Sequence, residues 1–177
     1  MKFSSTTIRN INAILHNAQT EGRNNLYEYE VYEILKESGL KVPHFALIED
    51  SSKVDEKLLQ HFHNAVVIKI VSSQIAHKQK LGGVKIINNL DPLFIQFVLE
   101  NMRKEVLSHF PSEEQPDIKG FLLVEFLPHT QAIGNEVLLG FKEDPAFGPV
   151  ITLSKGGDDA EFFAKYKQKY GKEPDYH

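Results

Sequence analysis

An α+β fold is predicted by two patterns in the sequence. Segments with helical and strand-like spacing alternate over roughly the first 110 residues, and three β-rich runs separated by polar connections come after them. The length of 177 residues fits one domain, or one domain built of two lobes, better than two independent cores. Hydrophobic residues make up 41% and charged residues 25%, so the composition excludes wholesale disorder.

Apolar residues at helical spacing predict two helices near the N-terminus. The first runs from Thr6 or Thr7 toward Gly22, and the second runs from about Asn25 to Ser38, where Gly39 supplies a left-handed stop. Further along, Asp91 and Pro92 open a long helix. The other elements predicted in this half are a strand over 45–48, a helix over 53–62, a strand over 65–71 and a strand over 84–87.

The second half contains three runs rich in β-branched and aromatic residues. Runs over 121–126, 136–142 and 150–153 are predicted to form an antiparallel sheet. From Lys155 onward the sequence is mostly polar around one aromatic cluster. Such an ending indicates either an exposed terminal helix or the remnant of a domain whose final strands are absent.

Charge and residue content exclude several classes of function. The net charge of -4 supplies no basic excess to neutralise a nucleic-acid backbone, so nucleic acid is not expected as a partner. The chain has no Cys, which excludes disulfides, thiolate catalysis and Cys-ligated zinc. No segment has the roughly 20 apolar residues that span a bilayer, and a cytoplasmic location without membrane partners is predicted.

A lysine inside an apolar strand is the first candidate functional residue. Lys69 stands between Ile68 and Ile70, and an unpaired buried ammonium is costly. Its side chain therefore either points outward from the polar face of the strand or meets an anion. The loop after the strand ends in Gly82-Gly83, which indicates either a tight turn or, with nearby lysines, a backbone nest for a phosphate.

His77 lies in the same polar loop, next to Lys78 and close to Lys80. A histidine in such a loop is usually just solvated. Neutral imidazole is also a nucleophile, so His77 could serve as a covalent phosphoryl carrier. The residues alone leave both interpretations open.

Two acids lie at predicted strand ends in the second half, Glu125 and Glu136. Carboxylates in such positions can bind a ribose hydroxyl, an ammonium or a metal. They can equally face solvent on alternating strands, and the spacing alone favours that second interpretation.

Three strings occur in the same order as in one family. They are LYEYEVYEILKESGLKVP (Leu26–Pro43), VVIKIVSSQIAHKQKLGGV (Val66–Val84), and EVLLGFKEDPAFGPV followed by a Gly-Gly loop (Glu136–Gly157). Together they resemble the ATP-grasp domain of the ADP-forming acyl-CoA (acetyl-CoA) synthetases, which is related to the nucleotide-binding subunit of succinyl-CoA synthetase. The combination is far more specific than an isolated Gly-rich loop. The resemblance implies an ATP-grasp-like fold of two small α/β lobes with mixed or antiparallel sheets.

The resemblance also assigns roles to residues of the first lobe. It makes Lys69 the strand lysine that contacts nucleotide phosphates, and it makes Gly82 and Gly83 part of the flexible loop that covers them. His77 falls on the phosphohistidine-type position, where a histidine relays a phosphoryl group. The implied cofactors are ATP or ADP with Mg²⁺, which would bridge the phosphates.

In the region between the lobes, the resemblance implies that Val124 to Leu127 form the linker whose backbone faces the adenine. Glu125 stands at its beginning, and Glu136 matches an acid that lines the nucleotide site. The metal ligands stay unassigned, because the acids that follow the Gly-Gly loop, Asp158, Asp159 and Glu161, have no counterpart in the family pattern.

The sequence departs from the family after the Gly-Gly loop, where strands completing the second lobe are expected. We therefore predict residues 1–157 as an incomplete nucleotide-binding domain and 158–177 as a polar tail. The expected partner is a CoA-binding or CoA-ligase subunit or domain, and ligase activity is expected only within such an assembly. Self-association through an uncovered apolar surface is also predicted.

Two other functions remain open from the sequence. One is a truncated, catalytically inactive module that binds nucleotide or a partner. The other is an ATP-grasp domain of the kind fused to an acetyltransferase that modifies protein lysines, although no trace of an acetyltransferase occurs in this sequence. The acyl substrate and the preference for adenine over guanine are not predicted.

Overall fold

The computed structural model describes residues 3–128 and 136–171 of the chain. The side chains of residues 158, 159 and 161–163 lie outside that description. The chain divides into two compact units, residues 1–127 and residues 128–177, and each unit has its own sheet.

The described residues form five α-helices and six β-strands. The helices are α1 (Ser5–Thr20), α2 (Glu28–Glu37), α3 (Glu56–Leu59), α4 (Pro92–Leu107) and α5 (Gly157–Tyr170). The strands are β1 (Phe45–Ile48), β2 (Val66–Val71), β3 (Val84–Ile87), β4 (Gly120–Glu125), β5 (Val137–Asp144) and β6 (Gly148–Lys155). The predicted α+β class is confirmed.

The first unit contains a four-stranded antiparallel sheet with the order β1-β4-β2-β3. In the central pair, Val66 of β2 lies opposite Glu125 of β4, and Val71 lies opposite Gly120. Gly120 is needed there, because a side chain at this position would clash with the carbonyl oxygen of Ile48.

Helix α4 covers one face of this sheet. Asp91 caps it by accepting a hydrogen bond from the backbone N–H of Phe94 at 2.8 Å, and Pro92 occupies the first turn, as the sequence predicts. Its inward side chains are Ile95, Val98, Leu99, Met102 and Val106. They pack on Ile68, Ile70 and Leu123 of the central strands, and each fully buried aliphatic side chain contributes about 1.5–3 kcal/mol.

Helix α2 contributes to a smaller cluster that contains Val71, Leu122 and Val124. Its aromatic neighbours come from the N-terminal part of α2 and from β1. These partly buried residues are Tyr27, Tyr29, Tyr32 and Phe45. Alternation along β2 places Lys69 in the same set as Val67 and Val71, whereas Ile68 and Ile70 join the main core.

Two predictions about the elements were wrong. We expected a helix over 53–62, but the chain forms a 3₁₀ turn at Ser51–Lys53 and the single-turn α3. We also expected β4 to pair with the two strands that follow it, whereas β4 lies inside the first sheet. The first five residues of β4 are buried, which is typical of a central strand. The polar connections on both sides of β4 in the sequence did not indicate this position.

The second unit is an antiparallel hairpin of β5 and β6 followed by α5. Val137 pairs with Lys155 at one end of the hairpin, and Asp144 pairs with Gly148 at the turn. The region that the sequence predicts as a polar tail begins within α5, and residues 172–177 lie outside the described part of the chain. The predicted boundary at residue 157 stays a prediction.

None of the helices that the structure describes combines the length and the hydropathy needed to cross a lipid bilayer.

Candidate functional site

The strand lysine is paired with an acid that lies 41 positions earlier in the sequence. The Nζ atom of Lys69 donates a hydrogen bond to Oε1 of Glu28 at 2.6 Å. The two side chains are 27% and 34% exposed, so the pair is neither in the core nor fully in water. The sequence left two orientations open for the Lys69 side chain. In the structure the side chain meets an anion, the carboxylate of Glu28.

A tyrosine on the next turn of α2 orients that acid. The hydroxyl of Tyr32 donates to the same Oε1 atom of Glu28 at 2.6 Å. Burial, and then the hydrogen bond to Glu28, raise the pKa of Tyr32 well above its usual range. Tyr32 therefore stays a neutral donor, and Tyr32, Glu28 and Lys69 form one hydrogen-bonded chain.

Arg23 fixes the beginning of α2 and thereby the position of Glu28. Its guanidinium donates to both carboxylate oxygens of Glu30, at 2.9 and 2.7 Å, and lies 4.0 Å from the centre of the Tyr27 ring. Glu30 also accepts from the backbone N–H of Tyr27 at 2.7 Å, which caps the helix. Both charged side chains are at least 93% buried, so this pair must stay intact for α2 to dock.

A cavity of about 510 Å³ lies between the segment 21–28 and the loop after β2. Lys78, Glu28 and the hydroxyl-bearing Ser72 and Ser73 are among its lining residues. Burial lowers the pKa of Lys78, Glu28 opposes that effect, and the positive charge of Lys69 adds to it. Within the described part of the chain the Lys78 ammonium has no hydrogen bond or ion pair, so it is available to an anion.

His77 is exposed and directly precedes a 3₁₀ turn that runs over Lys78–Leu81. Its side chain makes no capping hydrogen bond to that turn. The expected solvent accessibility of His77 is confirmed. Its role as a phosphoryl carrier stays a prediction.

Gly82 and Gly83 close the same turn. Gly82 has φ +74°, and its N–H donates to the carbonyl of Gln79, while the N–H of Gly83 donates to the carbonyl of Lys78 at 2.7 Å. A Cβ atom at Gly83 would lie 2.8 Å from that carbonyl oxygen and 2.9 Å from a methyl group of Ile70. The tight turn is therefore the observed structure, and in it both amide donors are used internally instead of forming a phosphate nest.

The predicted linker begins as the end of β4. Val124 is buried, and the N–H of Glu125 donates to the carbonyl of His44 at 2.8 Å, while Leu127 is 54% exposed. The Glu125 carboxylate accepts from the backbone N–H of His44 at 3.1 Å. Here Glu125 is a structural acceptor at the edge between β1 and β4. Any contact of Val124, Glu125 or Leu127 with adenine stays a prediction.

His44 lies at the centre of a small histidine group near this strand end. Its ring centroid is 5.2 Å from that of His61 and 4.8 Å from that of Phe62. Burial and the neighbouring His61 lower the pKa of His44, and Glu125 acts in the opposite direction. The lowered pKa favours the neutral form of His44.

Glu136 belongs to the second unit. Its carbonyl oxygen accepts from the N–H of Gly156 at 2.8 Å, and its carboxylate lies against Gly157, the first residue of α5. Gly157 has φ +64°, and a side chain there would clash with the carboxylate. Glu136 thus packs against the Gly-Gly loop, and its role at a nucleotide site stays a prediction.

Among the side chains that the structure describes, no group of three His, Asp or Glu residues could hold a metal ion. The side chains of Asp158, Asp159 and Glu161 fall outside the description. The described residues therefore do not by themselves form a magnesium site.

Sequence analysis missed Glu28, Tyr32 and Arg23. Glu28 and Tyr32 lie four positions apart on α2, which places them on one face of the helix, and this was a usable local signal. Nothing local links that face to Lys69, because the contact depends on how α2 docks on the sheet. Arg23 has no sequence signal beyond its place before a capped helix.

The fold places a half-buried strand lysine, Lys69, near a second lysine, Lys78, and both interact with the Glu28 carboxylate. Residues 17–170 match the family model described as "ATP-grasp domain". The chain belongs to the ATP-grasp family, as the resemblance predicts.

Curated relatives are ADP-forming CoA ligases. The chain is 34% identical to 4-hydroxybutyrate–CoA ligase [ADP-forming] of Nitrosopumilus maritimus, over 81% of this chain and 19% of that protein. It is 35% identical to the acetate–CoA ligase [ADP-forming] I subunit beta of Pyrococcus furiosus, over 81% of this chain and 58% of that subunit. The chain thus spans between a fifth and three fifths of these relatives.

Solved structures of an acetyl-coenzyme A synthetase from Ca. Korarchaeum cryptofilum share the fold. One, in complex with coenzyme A and Ca-AMPCP, has a TM-score of 0.71 and 29% identity, over 86% of this chain and 62% of that chain. Another contains a phosphorylated phosphohistidine segment and has a TM-score of 0.70 and 27% identity, with the same coverage.

Proposed function

We propose that this chain is the ATP-binding part of an ADP-forming acyl-CoA synthetase and relays a phosphoryl group through His77. The observation that carries the proposal is that Lys69 and Lys78 both interact with Glu28 beside a cavity, and that Lys78 directly follows the exposed His77. Phosphoryl transfer requires mainly positioning and cationic stabilisation, and these two lysines would supply the positive charge. Related solved structures contain the nucleotide analogue AMPCP and a phosphorylated phosphohistidine segment, which supports the same assignment.

In the proposed reaction, a ring nitrogen of His77 attacks the γ-phosphorus of ATP. An N–P bond forms, the bond to the bridging oxygen breaks, and ADP leaves. The phosphoryl group then passes to the carboxylate of the acid, which regenerates the imidazole and gives an acyl phosphate. The thiol of CoA then attacks the acyl phosphate, which gives acyl-CoA and releases phosphate. The histidine relay divides one long phosphoryl transfer into two short ones.

Other residues have supporting roles in this proposal. Lys69 and Lys78 stabilise charge on the phosphates, and the turn at Gly82-Gly83 covers them. Val124 to Leu127, with Glu125 at the start, face the adenine, and Glu136 contacts the nucleotide. Mg²⁺ would enter with the nucleotide, as in the related structure that contains Mg-AMPPCP, and the described side chains include no group of three His, Asp or Glu residues that could hold it.

The proposed partner is a CoA-binding, CoA-ligase subunit or domain. Relatives include beta subunits of acetate–CoA and succinate–CoA ligases, and a beta subunit works with a second kind of subunit. Because the chain spans only part of these relatives, the acyl-CoA chemistry is assigned to the assembly and not to this chain alone. A cytoplasmic location fits this metabolic role.

The decisive experiment measures phosphohistidine on this chain. The protein is mixed with the CoA-binding subunit of an ADP-forming acetate–CoA ligase, acetyl-CoA and radiolabelled phosphate, or with γ-labelled ATP and Mg²⁺ alone. We expect acid-labile, base-stable label on the chain, and its loss in His77→Ala. His109→Ala, which removes another exposed histidine, is the matched control and should keep the label.

Label that persists in His77→Ala would move the carrier to another of the eight His. Absence of label in every arm, with the partner itself active, would favour a second function: a module that binds nucleotide or a partner without turnover. One observation supports that alternative, because Lys69 and both glycine amides have internal partners.

A further inference from the structure

We propose that Glu28 is an internal counterion that occupies Lys69 and thereby lowers the affinity of the site for highly charged phosphate ligands. Glu28 would then determine ligand specificity by charge, without contacting the base or the sugar. The proposal depends on the proposed nucleotide site, and it concerns a residue to which neither the sequence pattern nor the comparisons assign a role.

The position of Glu28 is the first argument. Its Oε1 atom lies 2.6 Å from the Lys69 ammonium, and a phosphate oxygen bound to Lys69 would come within a few ångströms of the same carboxylate. Lys78 also interacts electrostatically with Glu28 and with Lys69. One carboxylate therefore compensates both cations that a polyphosphate would use.

The second argument is that Glu28 is held in place. The Tyr32 hydroxyl donates to it at 2.6 Å, and burial keeps that hydroxyl protonated. The start of α2 is fixed by the buried pair of Arg23 and Glu30. Glu28 therefore cannot move away freely when a phosphate arrives.

The third argument compares magnitudes. An ion pair as exposed as that of Lys69 and Glu28 adds little to stability, so removing the Glu28 charge costs the fold little. Repulsion between a carboxylate and a multiply charged phosphate at a few ångströms is larger, because it acts on each negative charge. The net effect of Glu28 on a polyphosphate is thus unfavourable, and the effect on an uncharged ligand is close to zero.

The test uses Glu28→Gln and calorimetric titration of the full chain with ATP, inorganic tripolyphosphate and adenosine. We expect the variant to bind ATP and tripolyphosphate on the order of tenfold more tightly than the unaltered chain, because neutral Gln no longer repels them. Adenosine affinity should stay within about twofold of the unaltered chain, since adenosine has no phosphate charge.

Two further variants separate charge from structure. Glu33→Gln removes an equal charge from another face of α2, and it should leave all three affinities unchanged. Tyr32→Phe keeps the Glu28 charge and removes one of the groups that hold it in place, so ATP affinity should rise by less than in Glu28→Gln. If Tyr32→Phe tightens ATP binding as much as Glu28→Gln does, a loosened α2 is responsible for the effect. That result would overturn the proposal.

The proposed function and this inference fail in different ways. If the unaltered chain binds ATP and Glu28→Gln binds it equally or more weakly, Glu28 is not a counterion of this kind, although nucleotide binding stands. If neither protein binds ATP or tripolyphosphate at millimolar concentration, the nucleotide site and the inference are both wrong.

Discussion

At the residue scale, the central contact is the one between Lys69 and Glu28. A lysine in an apolar strand is tolerated here because a carboxylate from another element lies 2.6 Å from its ammonium. The same ammonium is the group proposed to bind a nucleotide phosphate. Lys69 is therefore both a structural partner of α2 and the candidate binding residue.

Lys69→Ala should abolish nucleotide binding, with at least a tenfold loss of affinity, because a methyl group cannot bind a phosphate. Calorimetry with ATP and Mg²⁺ measures the loss. Lys85→Ala is the matched control, since Lys85 is also a strand lysine paired with a glutamate, Glu105, at 2.7 Å. Equal ATP affinity in Lys69→Ala and the unaltered chain would remove Lys69 from the site.

His44 should make the stability of the chain depend on pH between about 7.5 and 5.5. Burial lowers its pKa below the ordinary value of 6.5, so the unfolded chain binds more protons in this range than the folded chain. The free energy of unfolding therefore falls as the pH falls through the unfolded and then the folded pKa. Urea unfolding at several pH values tests this expectation.

His44→Gln is the variant for that measurement, because it cannot gain a proton in this range. Its free energy of unfolding should change less between pH 7.5 and 5.5 than that of the unaltered chain. His109→Gln, at an exposed position, should keep the full dependence. An identical pH slope in His44→Gln would assign the dependence to other groups.

At the element scale, α2 depends on one buried ion pair. Arg23 and Glu30 are each at least 93% buried, and Glu30 also caps the helix through the N–H of Tyr27. The three tyrosines at the start of the helix then pack beside the sheet, where Tyr27 and Tyr29 stack with centroids 5.7 Å apart. The ion pair of Arg23 and Glu30 thus holds α2 in the position from which Glu28 contacts Lys69.

Arg23→Met should destabilise the chain by about 3 kcal/mol, because it leaves the buried Glu30 carboxylate without its positively charged partner. Unfolding in urea measures the change. The double variant Arg23→Met with Glu30→Gln removes both charges and keeps an oxygen for the cap, so it should recover much of the loss. Equal destabilisation by the single and the double variant would show that packing of Arg23 on Tyr27 is what matters.

At the scale of the whole molecule, the hairpin of β5 and β6 carries large apolar side chains in solvent. An isolated two-stranded hairpin is marginally stable in water, so such a surface is expected to find a partner. The most exposed of these residues are Leu139, Phe141, Phe147, Ile151 and Leu153, which are 70–83% exposed.

The chain should therefore associate with itself as its concentration rises. Solution scattering over a concentration series measures the average mass, and the double variant Phe141→Lys with Ile151→Lys should reduce it by placing charge on paired residues of the hairpin. Leu93→Lys, at a 74% exposed position on α4, is the control and should leave association unchanged. A monomer at every concentration would contradict this prediction.

The sequence by itself determined the α+β class, nine of the strands and helices to within a few residues, and the family to which the chain belongs. These features depend on local signals, namely hydrophobic period, caps such as Asp91 with Pro92, and short strings such as that around His77. The short α3 was predicted too long, because the apolar residues of 53–62 recur at helical spacing whether or not the backbone continues as a helix.

Only the tertiary structure decided which strand joins which sheet and what Lys69 contacts. β4 pairs with β1 and β2, whose partner residues lie 49 or more positions earlier, and Glu28 meets Lys69 across 41 positions. It also showed that the amides of Gly82 and Gly83 close a turn. These features depend on which groups are brought together when remote segments bury their apolar faces, and a local pattern carries no information about that partner.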